Sequence, residues 1–144
     1  MKNFLELLDI EPINIELAIN PVFDLFAPEV AIKINDQILF AGTMNSTMQF
    51  KVQHKLRDTI KISVELINKK YSLEHETAVL INHVVIDNIK VIPKHVDQSV
   101  YINDHNYTQP TNYMGFNGIW SLDINRPFYQ WLHVATAQGW LLEP

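Results

Sequence analysis

Between Ile13 and Ile92 the chain alternates. Ile13, Ile15, Leu17 and Ile19 are separated by Asn14, Glu16, Ala18 and Asn20, the two-residue period that sends one set of side chains to a buried face and the other to water. Val30, Ile32 and Ile34 repeat it against Glu29, Ala31 and Lys33, and Asn35-Asp36 then offers a tight turn into Gln37-Ile38-Leu39-Phe40, which predicts a hairpin. Met48, Phe50 and Val52 form a further strand, and Leu56-Arg57-Asp58 turns it into the clearest one, Ile60, Ile62, Val64 and Leu66. From Ala78 to Ile92 most residues are β-branched, with Asp87-Asn88 predicting a bulge or kink between two short strands. Pro21, Pro28 and Pro93 are expected at strand margins, where a missing N–H does no harm.

Beyond this the pattern changes. Residues 93–118 show neither period and predict a long loop. Trp120, Leu122 and Ile124 then mark one face of a last strand. Asn125 as N-cap, Pro127 in the first turn, Phe128, Trp131, Leu132 and Ala135 at helical spacing, and Gly139 as a stop predict a helix over 126–138. The apolar Trp140-Leu141-Leu142 is expected to dock on the sandwich or on a neighbour, and residues 1–11 read as an N-terminal arm. Short strands punctuated by turns, without helices between them, give an all-β fold: an antiparallel β-sandwich or jelly roll with one short C-terminal helix, as a single domain over 1–144. A parallel, Rossmann-like sheet is excluded.

Composition narrows the function. A chain of 144 residues can bury a core without staples, and the absence of cysteine removes thiolate metal sites, thiol nucleophiles and disulfides. A formal charge of -5 argues against a nucleic-acid partner, and no apolar run reaches the roughly 20 residues of a membrane span. The lysines and Arg57 between residues 51 and 70 fit the solvent face of a sheet. The six histidines, His54, His75, His83, His95, His105 and His133, stand at no metal-binding spacing. No nucleophile elbow, phosphate loop or facing carboxylate pair is present, so the chain reads as non-catalytic. Asp97, Asn103, Asp104, Asn106 and Asn112 make the long loop oxygen-rich; they read first as local side-chain turns, with calcium as the one cofactor such a loop could take.

Nine of the aromatics fall after Val100. Packing accounts for Trp120, Phe128 and Trp131. Tyr101, Tyr107, Tyr113, Phe116 and Tyr129 are left as candidates for contact with a partner, either across a protein interface or as stacking platforms for sugar rings.

The segments Tyr113-Met114-Gly115-Phe116-Asn117-Gly118-Ile119-Trp120-Ser121-Leu122, Pro127-Phe128-Tyr129-Gln130-Trp131-Leu132-His133 and Gln138-Gly139-Trp140-Leu141-Leu142 resemble the C-terminus of small structural proteins of large tailed phages, as do Glu29–Asp36 and Ile60–Lys69 upstream. The layout of those proteins is similar to that of carbohydrate-binding β-sandwiches. The resemblance implies a non-catalytic virion component, in tail or capsid, assembled in the host cytoplasm, whose 101–116 segment reaches a neighbouring subunit in a homo-oligomer or repeating array. The alternative is a carbohydrate-binding module using exposed aromatics, with or without calcium; the chain lacks the glycine-rich, acidic loops of calcium-dependent sugar-binding modules.

Overall fold

A computed structural model describes residues 12–55, 59–70 and 75–125. The alternating segments fold as β1 (Pro12–Phe23), β2 (Glu29–Ile34), β3 (Gln37–Thr43), β4 (Met48–Lys55), β5 (Thr59–Leu66), β6 (Thr77–Ile86) and β7 (Ile89–Ile92). After a 3-10 turn at Val96–Gln98 come β8 (Ser99–Asn103), β9 (Thr108–Gln109), β10 (Tyr113–Met114) and β11 (Gly118–Asn125). They form two antiparallel sheets. One is ordered β10-β6-β1-β4, with β7 also paired to β6; the other runs β3-β2-β5-β11-β8-β9.

The alternation explains the packing. Ile13, Ile15, Leu17 and Ile19 on β1, Ile32 and Ile34 on β2, Ile60, Ile62, Val64 and Leu66 on β5, and Trp120, Leu122 and Ile124 on β11 point into one core cluster filled from both sheets. The large indole of Trp120 is fully buried, and its Nε1–H donates to the Thr111 carbonyl at 2.8 Å, as a buried polar atom must. Met48, Phe50 and Val52 on β4 are only half-buried, at the margin of this cluster.

Three expectations need correction. Asp87-Asn88 is neither bulge nor kink but the turn of the β6–β7 hairpin. Both residues have positive φ, 48° and 67°, as a mirror-image two-residue turn requires, and the Asp87 carboxylate accepts the Asn14 N–H at 2.8 Å, fastening the turn to β1. The ladder irregularity lies earlier, between Val84 and Val85. Pro21 lies inside β1, at a stretch where β6 is the strand's neighbour and the pairing with β4 has ended, so its missing N–H opens no ladder. The segment 93–118 is no plain loop but contributes β8, β9 and β10. Its strand character is inverted: the β8 residues facing the core are Ser99 and Tyr101, while Val100 and Ile102 face outward. The predicted helix over 126–138 and the arm over 1–11 lie outside the described residues.

The connections from β1 to β2, β5 to β6, β8 to β9 and β10 to β11 all gather at one end of the sandwich. Pro12 beside Lys55 and Asn125 beside Thr59 mark the opposite end. Gly118 opens β11 at the loop end, next to Asn103 of β8, with φ +156; a Cβ there would lie 2.3 Å from the Ile102 carbonyl oxygen. Neither the backbone angle nor the neighbouring strand tolerates a methyl. Gly118→Ala is therefore expected to destabilise the fold by more than ~1 kcal/mol in urea denaturation, whereas Gly42→Ala, whose Cβ would meet only the Phe40 ring at 3.6 Å, isolates the cost of positive φ from that of the clash.

Candidate functional site

The loops at that end carry apolar side chains into water on backbone that is tied down. In the connection between β1 and β2, Leu25 and Phe26 are 66% and 46% exposed. The loop beneath them is held on several sides. Buried Thr77 donates its hydroxyl to the Phe26 carbonyl at 2.8 Å, and the Asn68 amide donates to the Ala27 carbonyl at 3.0 Å while accepting the Glu29 N–H at 2.7 Å. The Met44 N–H donates to the Pro28 carbonyl at 2.8 Å. An exposed ring on a pinned loop loses little conformational freedom when something binds it.

Beside Phe26 stands His75, its ring centroid 5.6 Å away in an edge-on arrangement. Asp24 fixes the imidazole from the other side, with 3.2 Å between Oδ2 and Nδ1. The Leu25 N–H, donated to the same carboxylate at 2.7 Å, holds Asp24 below the usual carboxylate range, and His75 adds to that effect. A cavity of about 300 Å³ opens here, lined by Phe26, Glu29, Asn68, Lys70, His75 and Thr77.

The other loops continue this surface. Asn117 clasps Lys69, accepting its N–H at 2.7 Å and donating to its carbonyl at 2.9 Å, and the Lys69 ammonium reaches the His75 carbonyl at 3.3 Å. Phe116, next to Asn117 and 43% exposed, meets His105 edge-on at 5.7 Å. Tyr107, 67% exposed, caps the β8–β9 connection. That hairpin is shaped by Asn103, whose side-chain oxygen accepts the N–H groups of His105 and Tyr107 at 3.0 Å each. Tyr113 donates its hydroxyl to the Glu76 carboxylate.

Of the residues singled out from the sequence, Tyr107, Tyr113 and Phe116 thus come together at one end, exposed. Tyr101 does not join them as a contact residue. It is 1% exposed in the core, because β8 turns it inward opposite Trp120. Its hydroxyl instead grips Phe116, accepting the Phe116 N–H at 3.0 Å and donating to the Phe116 carbonyl; burial raises its phenol above the ordinary value. Tyr129 lies outside the described residues. The contribution of Asp24, Leu25, Phe26 and His75 was not anticipated, although an apolar Leu-Phe pair between two strands, followed by Pro28, was the available signal.

The calcium expectation meets a poor donor set. Among the described residues no three of His, Asp and Glu converge. Of the loop oxygens, those of Asn103 and Asn117 are taken up by backbone N–H groups, and Asn112 donates its amide to the Ile81 carbonyl at 3.1 Å. A calcium ion wants six to eight oxygens, and the side-chain oxygens of Asn103 and Asn117 are already spent on backbone N–H groups.

The fold is similar to that of a solved calcium-dependent carbohydrate-binding module, the selenomethionine form of vCBM60, described in work linking two families of such modules by circular permutation. The TM-score is 0.51, at 12% identity, over 76% of this chain and 89% of that one. The likeness is one of fold. No protein-family model and no curated protein matches the chain, and nothing in the comparisons connects it to a virion. What is established is an all-β, sandwich-like domain with a carbohydrate-binding module as structural neighbour.

Burial, reinforced by the Glu76 carboxylate, pushes the Tyr113 phenol from 10.0 up to about 12. The neutral phenol is the form the fold prefers, so its contribution to stability is complete below pH 10 and is lost as the pH rises towards 12. An absorbance titration of tyrosinate is expected to show a late step near pH 12 that disappears in Tyr113→Phe.

Proposed function

We propose that this protein is a non-catalytic carbohydrate-binding module of jelly-roll type, and that its site is the loop end bearing Phe26, His75, Tyr107, Tyr113 and Phe116. The observation that carries the reading is the set of exposed aromatic rings on hydrogen-bonded loops at one end of a two-sheet sandwich. The fold likeness to a carbohydrate-binding module supports it. Ring faces stack on the C–H faces of sugars, and the nearby carboxylates of Asp24 and Glu29 and the ammonium of Lys70 suit sugar hydroxyls as acceptors and donor.

Recognition in this proposal is direct, without a calcium bridge, since the side-chain oxygens of Asn103 and Asn117 are committed to backbone N–H groups and no three of His, Asp and Glu converge among the described residues. Subunit adhesion in a virion, the expectation from the sequence resemblance, is carried by none of these observations, and neither is a location in a particle.

Affinity electrophoresis through gels containing soluble xylan, mannan, galactan or β-glucan tests the reading. Retardation by at least one polysaccharide is expected, equal in EDTA and in calcium chloride, and Phe26→Ala and Phe116→Ala should each weaken it by about tenfold. Migration unaffected by every polysaccharide would sink the module reading; retardation seen only with calcium would sink its metal-free form.

A further inference from the structure

The outer face of the β3-β2-β5-β11-β8-β9 sheet carries a groove of about 640 Å³ that runs from Lys61 and Ser121 towards Asp104 and Asn117. Strand register explains its shape. Ser63 of β5 lies opposite Ser121 of β11; one row nearer the loop end Glu65, Ile119 and Ile102 lie side by side, and one row further away Lys61 faces Asp123. Two short hydroxylated side chains therefore form a floor between taller rows. The loop-end limit of the groove, Asp104 and Asn117, belongs to the same connections that present His105 and Phe116.

We propose that this groove seats an internal stretch of an extended glycan chain whose neighbouring residues occupy the loop end, an inference that rests on the carbohydrate reading above. The cavity beside Phe26, about 300 Å³, is at the small end of ligand sites and suits a single sugar ring. The groove has more than twice that volume and opens into the same end of the sandwich. Its chemistry is mixed in the way a sugar chain requires: Ile102 and Ile119, each 48% exposed, offer aliphatic surface to C–H faces, while Ser63, Ser121, Glu65 and Lys61 offer donors and acceptors to hydroxyls. A flat apolar protein partner would fit less well, because it would strip water from the two hydroxyls and both charges without replacing their hydrogen bonds.

The test is a calorimetric series with oligosaccharides from di- to hexasaccharide, cut from whichever polysaccharide retards the protein. Affinity is expected to rise by about tenfold or more from the disaccharide to the pentasaccharide. Ser121→Tyr, which fills the floor from an outward-facing strand position, should abolish that gain and leave disaccharide binding unchanged; Ser121→Ala should keep the gain. Equal affinity at every length, or a gain that survives Ser121→Tyr, would overturn the groove while leaving the loop-end module standing. If Ser121→Tyr instead dissociates an oligomer in sedimentation and alters no glycan affinity, the face is a subunit contact and the proposal is wrong. If no polysaccharide retards the protein, both readings fall.

Discussion

A single layer of apolar side chains, shared by two sheets that cannot hide their apolar faces alone, holds every other feature in place. Ile15, Ile32, Ile62, Val84 and Trp120 are each fully buried in it, and each such side chain contributes roughly 1.5–3 kcal/mol by leaving water. The same layer fixes register, since a slip of one residue on any strand would turn its apolar set outward. Fixed register means that β1, β5, β8 and β10 all deliver their chain at one level, and the next strand of each pair picks it up there. The loop end is a by-product of core packing before it is anything else.

What makes that end suited to binding is the use of its polar side chains. Thr77, Asn68, Asn103, Asn117 and the Tyr101 hydroxyl hydrogen-bond to main-chain groups of other loops or of their own hairpin. Each bond contributes about 1 kcal/mol net, less in sum than the core, but they act where the core cannot reach. They convert long connections into shaped backbone and leave the rings of Phe26, Tyr107 and Phe116 to face solvent. The apolar atoms there are exposed because their anchors, not their side chains, satisfy the fold.

Much of this architecture was legible in the alternation of residues. β1, β2, β5 and β11 keep Ile, Val, Leu or Trp on the inner face and, apart from residues such as Ala18, Ala31 and Ile119, polar residues outside, so period and polarity largely agree. β8 does not: its inner positions are Ser99 and Tyr101 and its outer ones Val100 and Ile102, so the period survives but the polarity reverses, and the strand reads as irregular chain. The same reversal hid the role of Tyr101, whose ring belongs to the core while its hydroxyl serves a loop. Tyr107, Tyr113 and Phe116 could be picked out because they lacked packing partners in the pattern. Phe26 and His75 could not, because their importance comes from residues 51 apart, Asp24 with His75 and Phe26 with Thr77, and no local spacing records such a meeting.

The two described strand ends, at Pro12 of β1 and Asn125 of β11, both lie at the pole opposite the aromatic loops. An attachment made at that pole itself would leave the ring-bearing loops facing bulk solvent, which makes the sandwich a natural display unit.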